Sequence, residues 1–358
     1  MKRVTVYDIA KEASVSVATV SRVLNNTAPV RQATKDRVQA LIDKYQFQPN
    51  ALARSLYKKE TGMLGVIIPD ITNPFFPTLL AGLDQRARQL GYTIFLCDTV
   101  STEGEYEDQY LRESEYLNLL MEKRVDGMIW IGGRINLAHP SEDLVKEMID
   151  VSKRVPLLLV NGQVPGTDMH RVYVDEREGA QLATQYLIHL GHREIAFVGG
   201  YVHMTNTLER LQGFNEAMRD NGLTPRKEWM LNGDFSVESG KRYFNRLLSL
   251  PKLPTAIFCA NDLVAVGVMK AAHKAGIRVP EDLSLIGFDD IPYAANSIPE
   301  LTTVSLKCYD VGRIAADQIC GMMNGELVSK AIKVKPELVI RESATPLNIV
   351  VDNAYKFE

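Results

Sequence analysis

The sequence predicts an α/β protein, with an N-terminal three-helix headpiece of helix-turn-helix form joined to a two-lobed, doubly wound α/β body. Three observations predict it. The first 45 residues carry the 3.6-residue apolar periodicity of short helices and no strand-like run. From residue 63 onward, short apolar runs alternate with amphipathic helical stretches, as parallel strands do with crossover helices. A chain of 358 residues also exceeds what one hydrophobic core usually serves.

The headpiece elements follow in order. Thr5 and Asp8 form the two halves of a capping box, and Ile9, Ala10 and Ala13 recur behind it at helical spacing. Ser14-Val15-Ser16 breaks the pattern, and Ser16 caps a second helix with Val20, Val23 and Leu24 on its core face. Asn25 to Pro29 ends it, and a third helix from about Thr34 to Tyr45 presents Val38, Leu41, Ile42 and Tyr45. The outer face of the second helix holds Val17, Ala18, Thr19, Ser21, Arg22 and Asn25. Small side chains let a helix approach a major-groove floor, hydroxyls hold phosphates, and an arginine pairs with a guanine edge. A three-helix protein-interaction module would share the same periodicity. Charge favours nucleic acid: residues 1–60 hold eleven Lys and Arg against five Asp and Glu, although the whole chain carries a net charge of -3.

A connector follows. In "QPNALARSLYKKETG", Pro49 stops the third helix and Asn50 caps two further turns, too few to be stable without a partner. Leu56 near their end would be an exposed apolar wedge.

The body is read from its apolar runs, "MLGVIIPD", "TIFLCD", "DGMIWI", "PLLLVN", "EIAFVGG", "TAIFCAND" and "LSLIGFDD", each a buried parallel strand. They form two half-sized copies, led by the first and the fifth. Several end in polar residues (Asp70, Asn73, Asp98, Asn161, Asn261, Asp262, Asp289 and Asp290), which points to a cleft between two lobes beyond the strand ends. Adjacent side chains at a strand end point oppositely, so of the aspartate pair only Asp289 is expected to face that cleft, as a hydroxyl acceptor. Cys97, Cys259, Cys308 and Cys320 are far apart and read as reduced, buried thiols. No membrane span, secretory leader, metal-ligand spacing, phosphate loop or nucleophile elbow stands out, so neither a cofactor nor catalysis is expected. His189 and His192 have no carboxylate partners at ligand spacing and are read as structural or surface residues.

The stretches "VTVYDIAKEASVSVATVSRVLN" and "PNALARSL" resemble the head and hinge of the LacI/GalR family of bacterial transcription regulators almost residue for residue. The resemblance continues through "PDITNPFF", "LGHREIAFVGG", "ERLQGF", "FCANDLVAVGVMKA", "VPEDLSLIGFDD" and "PELTTV". It implies that Val17, Ala18 and Arg22 face base edges, while Tyr7, Ser16, Thr19, Ser21 and Asn25 contact or support the backbone, beside the capping Thr5 and Asn50. It implies paired hinge helices in the minor groove, with Leu56 wedged at a central CG step and Ala53 near the groove floor. The body is then similar to periplasmic sugar-binding proteins. By motif, Arg210, Asn261 and Asp289 would hold effector oxygens, Phe235 would be an aromatic wall, and Asn73 and Phe75 would line the opposite lobe. Arg134, in "IGGRIN", is either a further cationic contact or a solvated loop side chain. Ser14 departs from a common family glycine, and Leu306 from a common polar residue.

The implied domains are a headpiece over 1–48, a hinge over 49–60, an effector-binding and dimerisation body over 61–340, and a tail over 341–358. Lobe 1 would take about 61–161 and 293–324, and lobe 2 about 162–292 and 325–340. The implied function is that of a cytoplasmic, allosteric transcription regulator, a repressor. It would bind a CG-centred pseudo-palindromic double-stranded operator as a homodimer, under control of a sugar or sugar-like effector. A nucleobase- or phosphoprotein-corepressed regulator, or a ligand-binding transport component, is the alternative.

Overall fold

The computed structural model describes residues 4–25, 29–45, 60–100 and 106–347. The chain divides into two compact units, Met1–Thr61 and Gly62–Glu358.

In the first unit, α1 (Val6–Glu12), α2 (Val17–Asn25) and α3 (Gln32–Lys44) enclose a small core of Ile9, Ala10, Ala13, Val20, Val23 and Val38. The capping box forms: the Asp8 carboxylate accepts the Thr5 N–H at 2.8 Å, and the Asp8 N–H reaches Thr5 Oγ1 at 3.4 Å. Ser16 Oγ accepts the Thr19 N–H at 3.2 Å and so caps α2. Leu24, Leu41 and Ile42 are only partly buried against this core. Between α1 and α2, Ser14 has φ +53°, a left-handed conformation that glycine adopts without strain.

The second unit contains two six-stranded sheets. The first has strands β1 (Met63–Ile68), β2 (Thr93–Asp98), β3 (Gly127–Ile131), β4 (Leu157–Val160), β5 (His170–Val174) and β11 (Ala331–Val334), in the order β11-β5-β4-β3-β1-β2. The second has β6 (Ile195–Val198), β7 (Met230–Leu231), β8 (Ala256–Cys259), β9 (Ser284–Asp289), β10 (Thr302–Ser305) and β12 (Glu337–Val339), in the order β12-β10-β9-β8-β6-β7. Among the strand pairs of the described residues, β10–β12 is antiparallel and the others are parallel.

Helices cover both faces of each sheet, which is why the central strands β1, β3, β4, β6, β8 and β9 are largely apolar. In lobe 1, Met128 and Trp130 of β3 pack toward α5 (Tyr106–Lys123) and α6 (Glu142–Ser152). Ile129 and Ile131 face α4 (Phe75–Gln89) and α12 (Cys308–Met323). In lobe 2, α7 (Glu176–His189) and α8 (Thr205–Asp220) cover Phe197, Phe258 and Phe288. On the other face, α9 (Val237–Leu248) and α10 (Asp262–Lys274) cover Val198, Ile257 and Leu285, with the short α11 (Pro292–Asn296) beside them. Helix α4 meets α12 at Gly82 and Gly312, where an added Cβ would lie 2.0 Å from the Tyr309 carbonyl oxygen and 2.1 Å from that of Leu79. The two helices touch backbone to backbone, and no larger residue fits.

The lobe limits differ from those expected. β5 belongs to the first sheet rather than the second lobe, β10 to the second sheet rather than the first, and β11 to the first. The chain therefore crosses between lobes at 174–176, 305–308 and 334–337. Lysines lace these crossovers: Lys333 Nζ lies 2.7 Å from Asp175 and 3.2 Å from Glu178, and Lys307 Nζ lies 3.1 Å from Glu337. Residues 341–347 are not a loose tail. The Leu285 N–H donates to the Ser343 carbonyl at 2.7 Å, and the Leu347 N–H to that of Leu190 at 2.8 Å.

Candidate functional site

A cavity of about 540 Å³ opens between the two lobes, at the carboxyl ends of their strands. Asn73, Phe75, Arg210, Phe235, Asn261 and Asp289 all line it. Asn73 closes the turn into α4, its Oδ1 accepting the Phe75 N–H at 3.1 Å. Phe75 is nearly buried and meets Phe76 edge to face at 5.0 Å. From the other lobe, Phe235 stands edge-on to Tyr201 at 5.8 Å. Asn261 caps α10, accepting the Val264 N–H at 2.9 Å and donating to the Phe235 carbonyl at 3.2 Å, so one amide ties the aromatic wall to the helix start.

Arg210 is the electrostatic centre. It projects from α8 with 4% of its surface exposed. Its Nε donates to Glu176 at 2.7 Å and its Nη2 to Asp289 at 3.1 Å, while Nη1 donates to the Ala260 carbonyl. The Phe288 ring lies 4.0 Å beneath the guanidinium. Burial raises the Asp289 carboxyl to about 7 against the pull of Arg210, with Glu176 adding repulsion. Asp289 has φ +101°, which turns its side chain to the cleft; Asp290 leaves the other way and pairs with Arg341 at 2.7 Å. Asp262, another strand-end candidate, lies outside the cleft wall. It accepts the Ile291 N–H at 2.8 Å and the Thr303 hydroxyl at 2.5 Å, inside the core.

Arg134 is the correction. Its side chain is 1% exposed and does not line the cleft. It turns behind the sheet to Glu113 of α5 at 3.3 Å and Glu147 of α6 at 2.7 Å, with Trp130 4.4 Å away. The preceding pair Gly132-Gly133 does line the cleft, so the backbone serves the cavity and the side chain the core. A Cβ on Gly133 would lie 2.1 Å from Glu113 Oε1. Leu306 is also fully buried in the core and contributes nothing to the wall.

The structure adds wall residues that sequence reasoning missed: Glu176, Tyr201, Asp234, Gln109, Tyr110 and Asn136. Glu176 had a signal. It follows the N-cap Asp175 directly after "VYV", but that strand went unrecognised, so its carboxyl end was not counted among the cleft edges.

In the headpiece, Thr5, Tyr7, Ser16, Ala18 and Arg22 are exposed, and Val17, Thr19 and Ser21 are half-buried. Positions 18, 21 and 22 point away from Val20 and Val23, whereas Val17 packs partly buried against the headpiece core. The Asn25 side chain and residues Asn50, Ala53 and Leu56 lie outside the described residues. His192 is a core residue: its Nδ1 meets Thr255 Oγ1 and its Nε2 meets Ser284 Oγ, both at 3.0 Å. The four cysteines are free and buried. Among the described residues, no group of His, Cys, Asp and Glu is arranged to hold a metal, and no helix is long and apolar enough to cross a membrane.

Residues 5–50 match the family model for bacterial regulatory proteins of the lacI family, and residues 184–344 that for the periplasmic binding protein-like domain. The HTH-type transcriptional repressor PurR of Photobacterium profundum is 33% identical over 350 residues, covering 96% of this chain and 99% of the relative. The lac repressor dimer bound to operator and the anti-inducer ONPF superposes with a TM-score of 0.82 at 28% identity, over 96% of this chain and all of that one. The transcriptional regulator CelR in complex with cellobiose superposes at 0.69 and 27% identity, over the same shares.

Proposed function

For a chain that belongs to the lacI family of bacterial regulatory proteins, and so is a DNA-binding transcriptional regulator and not an enzyme, we propose the following specific reading. It is a cytoplasmic repressor that binds a CG-centred pseudo-palindrome as a homodimer and is switched by a sugar or sugar derivative in the interlobe cleft. The observation that carries the effector reading is the cleft itself. A guanidinium, a carboxylate and an amide (Arg210, Asp289 and Asn261) converge beside the aromatic walls Phe235 and Phe75 in a cavity of sugar size. Paired donors and acceptors suit vicinal hydroxyls, and an aromatic face suits the C–H side of a sugar ring. The relatives support each part: lac repressor is a dimer on its operator, and CelR holds cellobiose. A nucleobase effector is the second reading, favoured by the same aromatic walls.

Asn73 and Phe75 stand on lobe 1 and Arg210, Phe235 and Asn261 on lobe 2, so one ligand touching both sets shifts the relative population of lobe orientations. In a dimer this changes the separation of the two first lobes and with it the ordering of the Leu56 hinge on DNA. Arg22 reads bases and the serine and threonine hydroxyls of α2 hold phosphates.

Operator binding measured against salt tests the DNA half. Affinity should fall steeply as salt rises, and Leu56→Ala should weaken specific binding far more than non-specific binding. Binding to CG-centred palindromes that ignores salt contradicts the reading. Arg210→Ala should abolish the effector response while keeping basal operator affinity; an unchanged response removes Arg210 from the site.

A further inference from the structure

The charge carried by the cleft wall restricts what can enter it. Four carboxylates line the cleft, Asp70, Glu176, Asp234 and Asp289, and Arg210 is the one Lys or Arg among the described lining residues. That guanidinium is already engaged at each of its three nitrogens, by Glu176 at 2.7 Å, by Asp289 at 3.1 Å and by the Ala260 carbonyl, with Phe288 covering one face. Glu176 is 6% exposed and Asp289 7%. A ligand phosphate or carboxylate that took Arg210 would have to displace Glu176 into a buried position without a counter-charge, and uncompensated buried charge is strongly disfavoured. No second cation is available. Arg134 is committed behind the sheet, and Arg242, which holds Asp234 at 3.0 Å, does not line the cavity.

We propose that Glu176 is an internal counter-anion that closes Arg210 to external acids, so that the effector is a hydroxyl-rich small molecule bearing no anionic group. Neutral sugars, amino sugars and nucleosides are admitted; sugar phosphates, sugar acids and nucleotides are rejected. The inference rests on the effector reading of the cleft. Glu176 thereby becomes a specificity-determining residue: it leaves Arg210 two N–H groups to donate to ligand hydroxyls, and no net positive charge to offer.

The test uses the full-length protein in thermal melts, at ionic strength matched with sodium chloride. The probes are inorganic phosphate and the set glucose, glucosamine, glucuronate and glucose 6-phosphate. Wild type should show no saturable shift with phosphate, glucuronate or glucose 6-phosphate. Glu176→Gln should gain a saturable phosphate response, with apparent affinity at least about tenfold above wild type. Glu142→Gln, an exposed control on α6, should gain none. Should Glu176→Gln fail to fold, Glu176→Asp, which retracts the carboxylate by one methylene, carries the same comparison. A saturable phosphate response of wild type that Arg210→Ala removes overturns the inference, and so does a Glu176 variant as indifferent to phosphate as wild type. A sugar phosphate that releases operator from wild type also overturns it while leaving the effector reading standing. A wild type whose operator binding answers to no ligand class overturns that reading, and this inference with it.

Discussion

Arg210 and Arg134 are buried to almost the same degree and in almost the same company. Each guanidinium lies between two carboxylates and against an aromatic ring: Glu176, Asp289 and Phe288 for one, Glu113, Glu147 and Trp130 for the other. Arg210 lines the cleft and Arg134 does not. The difference lies in the backbone that delivers them. Arg210 stands on α8 with its donors aimed past the ends of β8 and β9. Arg134 follows two left-handed glycines that take the chain along the cleft floor and turn its side chain back under the sheet. A buried arginine paired with acids is therefore not by itself evidence of a binding site, and its functional meaning comes from which side of the sheet it occupies.

The sharpest way to break this comparison is to remove each guanidinium. Arg134→Leu should cost about 1–3 kcal/mol in urea unfolding of the full chain, because the Glu113 carboxyl is left buried without its partner. Arg134→Leu combined with Glu113→Leu should recover most of that loss; a double variant no better than the single one would show that Arg134 acts through packing on Trp130 instead. Gly133→Ala comes next. Its methyl would strike Glu113 at a residue with φ +67°, for a loss of roughly 1–3 kcal/mol, and much of that loss should vanish once Glu113 has been replaced.

Titration gives a smaller effect. Burial raises Glu113 from 4.5 to about 8 in spite of Arg134. A carboxyl that holds its proton more tightly when folded favours the folded state at low pH. Its contribution is full below about pH 4.5 and is lost as pH climbs to about 8. Stability should fall across that window, and Glu113→Gln should flatten the slope. A slope of opposite sign would mean that Glu113 stays ionised throughout. The smallest effect belongs to the solvated struts. Lys333→Ala should leave the urea midpoint within error, since Lys333 is exposed and its partners Asp175 and Glu178 are only partly buried. A loss comparable to that of Arg134→Leu would show that the crossover lysines, rather than the buried clusters, hold the lobes.

The legibility of the fold followed burial on both faces. The seven strands read from apolar runs are β1 to β4, β6, β8 and β9; six lie inside their sheets, and the edge strand β2 was legible from its apolar composition although Cys97 is its one buried residue. The five that escaped lack that signature. β7 has two residues, β11 and β12 are edges with exposed alternate positions, and β5 opens on His170-Arg171. β10 reads as polar, yet its threonines are buried and satisfied, with Thr303 donating to Asp262 and the Thr302 N–H reaching Ser343 at 2.9 Å. Missing β5 hid Glu176. Missing β5, β10 and β11 also misplaced the lobe limits. Arg210, Asn261 and Asp289 were legible because they sit on strand ends or motifs that the pattern did identify. The direction of the Arg134 side chain was not, because two glycines of positive φ set it and periodicity is silent about them.

The three crossovers also order events during synthesis. Lobe 1 lacks α12 and its edge strand β11 until residue 334 has been made, and lobe 2 lacks β12 and the 341–347 strap until later still. The headpiece, by contrast, is finished within the first 61 residues. For most of translation the nascent chain thus carries a complete reading head ahead of two half-built sheets with open edges. Neither lobe can be cut out as one continuous length of chain. Truncations near the carboxyl end should damage both lobes at once, and a premature stop there would release a chain with a finished headpiece and two incomplete lobes.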